Sequence, residues 1–286
     1  MPLPDSAHTT RTIGDALAAA RTALMGHSNA PRLDSERLLA HVLAKPREHL
    51  IAHDHLPLAT HDLSTYEKLI ALRLKGMPLP YLLGVRPFYD RFFRVNSHVL
   101  IPRQETEGLV EAALAWIRQE KGGRARIIDV GTGSGIIAVT LAAHLPESMV
   151  IGADISAAAL SVAYTNGAEL PNLAFLQADL LAPVYERFNL IAANLPYIAT
   201  ADMSLLEVAH FEPHIALDGG GDGLHLIRRL LAMLPTRITS PGLILLEHGA
   251  DQGAAVRVLA EQTFPKGRIS TLRDMAGLDR IAQILV

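Results

Sequence analysis

The sequence predicts an α/β protein in which a small helical region precedes a doubly wound, mostly parallel sheet. Three observations carry that expectation. Short apolar runs alternate with helical segments over about 160 residues after Arg126, the preceding residues repeat their apolar positions at helical spacing, and no internal repeat interrupts either part. A chain of 286 residues can bury a core in a large domain and a smaller one besides.

Taken in order, Met1 to Arg11 is polar, carries prolines and lacks the apolar centre of a signal sequence. No uninterrupted apolar run approaches the roughly 20 residues of a membrane span, so a cytoplasmic protein without membrane contact is expected. From Thr12 to about Leu74 apolar residues recur as in Leu38, Leu39, Val42 and Leu43, with Gly26, Pro31, Pro46 and Pro57 as punctuation. This reads as a bundle of short helices. Asp34-Ser35-Glu36 would suit a helix start, because short polar side chains can accept from the free amides of a first turn. Next, Phe88 to Val95 and His98 to Pro102 form two aromatic and β-branched runs separated by Asn96-Ser97, the pattern of a hairpin. The expected domains are residues 1–84, a helical domain; 85–105, a hairpin linker; and 106–286, the α/β domain.

Within the α/β part, strands are expected at 127–130, 149–154, 173–176, 190–193, 243–246 and 281–286, with helices over 136–145 and up to Asn166. The net charge of -3 lacks the basic footprint of a protein that binds mainly through phosphates. Residues 1–86 hold ten Lys/Arg and eight Asp/Glu, so the helical region is no basic arm. The absence of cysteine removes disulfides, thiolate metal sites and a cysteine nucleophile. His49, His53 and His55 cluster without a convincing carboxylate partner and read as surface residues, so no metal site is expected.

Three motifs carry chemistry. Asp129-Val130-Gly131-Thr132-Gly133-Ser134-Gly135 stands where a strand ends and a helix begins, the place where open α/β sheets bind ligands. Its glycines fall at alternate positions, unlike the G-x-G-x-x-G of dinucleotide binders, which tilts the ligand away from NAD. Asp154 closes the next strand 19 residues after Gly135, where a carboxylate can accept both hydroxyl protons of a ribose. Ribose alone does not separate NAD from S-adenosylmethionine. The third motif, Asn194-Leu195-Pro196-Tyr197, follows the strand through Ala193 and opens on the same crevice.

That tetrapeptide suits a planar nitrogen. An amide lone pair is delocalised into its carbonyl, so the nitrogen must be oriented and polarised. An Asn side-chain oxygen and a neighbouring backbone carbonyl can accept its two N–H groups, Pro196 fixes the turn, and the Tyr197 ring can pack on a flat substrate. Glu247-His248 ends a strand, and since methyl transfer from a sulfonium needs no acid/base pair before attack, it reads as structural. Ser134 is not in a G-x-S-x-G turn, which argues against a hydrolase. An adenine-N6 or cytosine-N4 nucleic-acid methyltransferase would face the same chemical problem as an amide methyltransferase. A catalytically silent cofactor-binding module and, more distantly, an NAD-dependent dehydrogenase are the other readings.

These motifs combine with others to give a resemblance. Leu33 to Leu43, Pro80-Tyr81-Leu82-Leu83-Gly84, Val99-Leu100-Ile101-Pro102-Arg103, Asp129 to Gly135, Phe211-Glu212-Pro213, Ala216-Leu217-Asp218-Gly219-Gly220, Asp222-Gly223-Leu224 and Leu245 to Gly249 together resemble the HemK/PrmC family of glutamine-N5 methyltransferases. The resemblance implies a Rossmann-like class I methyltransferase domain with a seven-stranded sheet. It also implies transfer of a methyl group from S-adenosyl-L-methionine, leaving S-adenosyl-L-homocysteine, to the glutamine of the Gly-Gly-Gln motif in class-1 peptide chain release factors. The partner is then a protein bound through residues 1–84, with no direct nucleic-acid contact. Gly131, Thr132, Gly133, Ser134, Gly135, Asp154, Leu180 and Asn194 would surround the cofactor. Asn194, Leu195, Pro196 and Tyr197 would hold the substrate amide, with Asn194, Pro196 and Tyr197 as the catalytic group. Two positions depart from the family pattern: Leu195 stands where a proline is usual in Asn-Pro-Pro-Tyr, and Gln104 stands in the Arg-Pro-x-Thr-Glu segment, which keeps Arg103, Thr106 and Glu107.

Overall fold

A computed structural model describes residues 11–206 and 210–286. Of the amino-terminal stretch read above for a signal sequence, Met1 to Thr10 lies outside the described residues. The chain forms two compact units, one up to Gly84 and one from Val85 to Val286.

The first unit holds α1 (Ile13–Leu24), α2 (Pro31–Leu43), α3 (Arg47–Ala52), α4 (Thr60–Leu74) and α5 (Leu79–Leu83). A reciprocal cap starts α1: the Thr12 hydroxyl accepts from the Asp15 N–H, and the Asp15 carboxylate accepts from the Thr12 N–H. Its core is Leu24, Leu38, Leu39, Leu50, Tyr66 and Ile70 with their neighbours. Asp34-Ser35-Glu36 does not start a helix; α2 begins at Pro31, whose fixed φ suits a first turn, and the three polar residues lie inside it, buried. Their burial is compensated. Arg73 donates to Asp34 at 2.8 Å, Arg32 and Arg47 both pair with Glu36, and the Tyr66 hydroxyl donates to the Ser35 carbonyl at 3.1 Å.

The second unit opens with β1 (Val85–Phe88) and β2 (Arg91–Arg94), an antiparallel pair. The expected turn at Asn96-Ser97 is displaced to Tyr89-Asp90, and His98 to Pro102 forms no strand. Tyr89 adopts a left-handed φ of 56°, so the turn uses no residue that announces it. The hairpin's Phe88 and Phe93 belong to the core of this unit and meet edge to face at 5.9 Å.

After α6 (Glu107–Lys121) the chain alternates β3 (Arg126–Val130), α7 (Ile136–His144), β4 (Met149–Asp154), α8 (Ala157–Gly167), β5 (Leu173–Gln177) and β6 (Phe188–Asn194). It ends with α9 (His225–Met233), β7 (Ile238–Glu247), α10 (Gly253–Thr263), β8 (Arg268–Arg273) and β9 (Asp279–Leu285). The sheet has seven strands in the order β5-β4-β3-β6-β7-β9-β8. All neighbours run parallel except at β9, which is antiparallel to both β7 and β8. Side-chain alternation supplies two apolar faces: Ile127, Leu190, Leu243 and Leu245 pack toward α6 and α7, and Ile128, Ile191, Ile244 and Leu246 pack toward α9 and α10. The strand order reverses between β3 and β6, so the segments leaving these two strands splay apart at their carboxyl ends and open a crevice. No helix among the described residues is long and apolar enough to cross a membrane.

Candidate active site

The crevice at the β3/β6 reversal is a cavity whose wall includes Gly131 to Ser134, Asp154, Leu180 and Asn194 to Pro196. Three segments far apart in sequence therefore meet because parallel strands deliver them to one edge. Gly135 and Tyr197 are not part of that wall. Gly135 precedes α7, where a side chain would meet Val139 and Ala163 at 3.1–3.2 Å, so its smallness serves helix packing.

The turn after β3 is built on Asp129. Its carboxylate accepts from the Thr132 hydroxyl at 2.6 Å and from the Ala138 N–H at 3.2 Å, tying the turn to the first turn of α7. Complete burial pushes this carboxyl up to about 7, against those two hydrogen bonds, and its Oδ1 has no partner. Gly131 sits at a φ of +75°, and a Cβ there would stand 2.9 Å from Leu195 Cδ2. The turn and the tetrapeptide touch at that point, and only glycine permits it.

Asp154 ends β4 with its carboxylate already oriented: Oδ2 accepts from the Gly133 N–H at 2.9 Å and Oδ1 from the Ser156 N–H at 2.8 Å. Each oxygen keeps a second lone pair, which is what a vicinal diol requires. Burial raises its pKa, opposed by these backbone donors. Leu180 holds a left-handed φ of 53°, rare for leucine, on the cavity wall. Asp179 beside it is fixed by Arg229 at 2.7 Å, and both line the cavity. Apolar area comes from Ile136, Ile155 and Leu226.

Asn194 closes β6 opposite Glu247 of β7. Its Nδ2 donates to Thr106 Oγ1 at 3.0 Å. Burial pushes the Glu247 carboxyl up to about 7, against the favourable influence of Thr106 and Asn194 on its ionised form, and Oε2 is left unpartnered. Leu195 is buried in the core, its side chain against the glycine turn, so the position where the family usually has proline is used here for packing. The Tyr197 carbonyl accepts from Gln252 Nε2 at 2.8 Å, and burial raises the Tyr197 hydroxyl to about 12 with Glu247 adding to the shift.

Several contributors were not singled out as site residues from the sequence. Thr106 and Glu247 are two. Arg103 lines the cavity and donates to both oxygens of buried Glu212 at 2.8–2.9 Å, fastening the loop after β6. Asn166 donates to the Ser134 carbonyl at 2.8 Å and exchanges hydrogen bonds with Arg94, holding the glycine turn from α8. Polar residues at strand ends and helix backs carry no motif, so only their spatial partners reveal them. Elsewhere, His49 and His53 stack at 4.2 Å, and the described residues contain no group of three or more His, Asp or Glu placed to hold a metal ion.

Comparison with known proteins accords with this architecture. Residues 15–84 match the family model described as the PrmC N-terminal domain, and residues 112–216 match the methyltransferase small domain. A release factor glutamine methyltransferase of Bordetella pertussis is 41% identical over 91% of this chain and 96% of its own length. One from Neisseria gonorrhoeae is 41% identical over 90% and 94%, and one from Cereibacter sphaeroides 43% over 93% and 96%. Among solved structures, the hMettl16 catalytic domain in complex with MAT2A 3'UTR hairpin 6 superposes with a TM-score of 0.50 at 15% identity, covering 68% of this chain and 74% of that one, a likeness of fold alone. The chain belongs to the release factor glutamine methyltransferase family, S-adenosylmethionine-dependent enzymes whose catalytic unit has the Rossmann-like class I methyltransferase fold.

Proposed function

We propose that this chain methylates the side-chain amide nitrogen of the glutamine in the Gly-Gly-Gln motif of a class-1 peptide chain release factor. The observation that carries this reading is Asn194, an amide acceptor held at the cavity wall beside the glycine turn and Asp154.

The residues present fit S-adenosylmethionine. Asp154 has two oxygens, each with a free lone pair after the backbone is satisfied, for the ribose hydroxyls. The Gly131 to Ser134 backbone, free of side chains at two of four positions, accommodates the amino-acid end, and Leu180 with Ile155 offers an apolar wall to adenine. The cofactor supplies an electrophilic methyl group on a sulfonium. The protein's own work is positioning. Asn194 Oδ1 and a tetrapeptide backbone carbonyl accept the two amide N–H groups, which fixes the plane of the amide and raises electron density on nitrogen. Pro196 holds the turn and Tyr197, anchored through its carbonyl by Gln252, lies next in the chain. Residues 1–84, with a core of their own, are assigned to docking the release factor.

The test is transfer of label from S-adenosylmethionine to three substrates: a release factor, the same factor with Glu in place of the Gly-Gly-Gln glutamine, and a nucleic acid. Label on the first alone is expected; label on the nucleic acid overturns the reading. Asn194→Ala is expected to abolish transfer, by roughly 10²-fold or more, while cofactor affinity stays measurable. Equal loss of both would make Asn194 a structural residue.

A further inference from the structure

An asparagine amide can face its substrate with either end. Turned one way it offers an acceptor; turned by 180° it offers donors, which would oppose the N–H groups of an amide substrate. Something must therefore select the end. Asn194 Nδ2 donates to Thr106 Oγ1, and a hydroxyl alone selects nothing, because it donates or accepts as its neighbours require.

Glu247 breaks that symmetry. It stands opposite Asn194 in the β6–β7 register and is buried with Oε2 unpartnered, and Thr106 and Asn194 both favour its ionised form. An ionised carboxylate only accepts. The Thr106 hydroxyl proton must then point at Glu247, its lone pairs must point at Asn194, and Asn194 must present Nδ2 to both neighbours. We infer that Thr106 and Glu247 are positioning residues that lock the Asn194 amide with its Oδ1 toward the cavity, as the acceptor for the substrate amide N–H. This rests on the reading of Asn194 given above. Glu247 takes no part at the reacting atoms and acts only through Thr106 and Asn194.

The lock needs the carboxylate ionised. A protonated Glu or a Gln at position 247 can donate as well as accept, so it no longer fixes the Thr106 hydroxyl proton, which is then free to turn onto Asn194 Oδ1 and release Nδ2 to face the cavity. The charged and titratable groups around Glu247 are Glu105, which opposes ionisation, Arg280, which favours it and is itself held by Asp274 at 2.8 Å, and the Tyr197 hydroxyl, which stays neutral. The Glu247 carboxyl, raised to about 7 by burial, thus passes from donor to acceptor as pH rises through that value.

The test compares wild type, Glu247→Gln, Thr106→Val and Thr106→Ser for kcat and KM toward a release factor between pH 6 and 9, with cofactor affinity measured separately. Expected are a fall of about tenfold or more in kcat for the first two variants at near-constant cofactor affinity, rescue by Thr106→Ser, and loss in Glu247→Gln of a wild-type rate inflection near pH 7. Wild-type kcat and an unchanged pH profile in Glu247→Gln and Thr106→Val would overturn the inference. A second measurement does not depend on activity. In protein labelled with 15N-asparagine, the Asn194 side-chain amide pair, assigned by its absence from Asn194→Asp, should shift with a midpoint near pH 7; a flat response overturns the lock. A wild type that leaves the release factor unmethylated instead removes the proposed function, and the amide titration still decides the lock.

Discussion

At the level of single residues, the most exacting contact is between Gly131 and Leu195. A side chain at 131 faces two separate penalties: a left-handed φ of +75° and a Cβ 2.9 Å from Leu195 Cδ2. The first costs about 1 kcal/mol or more for a non-glycine residue, and the second is relieved only if Leu195 moves. Gly131→Ala is therefore expected to weaken cofactor binding, and adding Leu195→Ala should recover only the part due to collision. Calorimetric titration with S-adenosylmethionine of both variants measures this; full recovery in the double variant would show that the backbone angle does not matter. Buried Glu247 yields a second expectation, with a sign fixed by linkage. Its carboxyl, ordinarily near 4.5, is raised to about 7, so the folded state binds more protons than the unfolded one across that interval and stability falls as pH rises through it. Glu247→Gln removes this slope. Denaturant unfolding should find the variant and wild type alike near pH 4.5 and the variant more stable at pH 8, by up to about 3 kcal/mol at the 1.4 kcal/mol per unit of pKa shift. A variant less stable at pH 8 would mean that the ionised carboxylate is a net stabilising group.

Among elements, the loop between the tetrapeptide and α9 shows how a turn is supported from behind. A Cβ at Gly223 would lie 2.3 Å from the Tyr197 carbonyl oxygen and 2.5 Å from Gln252 Nε2, the pair whose hydrogen bond anchors the tetrapeptide. Gly221 in the same loop has open space around it. Gly223→Ala is expected to lower kcat/KM for the release factor and the melting temperature together, and Gly221→Ala to change neither beyond a few tenths of a kcal/mol. If both behave alike, the loop does not support the tetrapeptide. The same scale shows what the sequence disclosed. Parallel strands buried on two faces are continuous apolar runs, so β3, β4, β6 and β7 were legible. β8 was not, because Arg-Ile-Ser-Thr-Leu-Arg at the sheet edge is half exposed and too polar to stand out. The hairpin turn was misplaced because Tyr89-Asp90 lacks glycine while Asn96-Ser97 looks like a turn. Asn194, Asp154 and the glycine turn were legible as motifs, since each lies in one short stretch. Thr106 stands in a motif and Glu247 ends an apolar strand, but neither stretch announces a tie to Asn194, which spans 88 residues of sequence in one case and a strand register in the other.

For the whole molecule, the two units draw their cores from separate stretches of chain. The buried clusters on both faces of the sheet are drawn from Phe88 onward, and the bundle's cluster lies wholly between Ile13 and Leu83. Every residue of the cavity wall, from His98 to Arg229, belongs to the second unit. A fragment beginning at Val85 retains both sheet-face cores, the hairpin aromatics and the whole cavity, so it should fold cooperatively and bind S-adenosylmethionine with an affinity close to that of the full chain. If residues 1–84 dock the release factor, the fragment should still methylate it at saturating concentration, with KM raised by about tenfold or more and kcat less affected, since interactions remote from the reacting atoms contribute binding that positions the substrate. Steady-state kinetics of fragment and full chain on the same release factor, alongside cofactor titration, measure each part. An unchanged KM would remove docking from the bundle, and lost cofactor binding in a folded fragment would show that the cavity depends on residues before Val85.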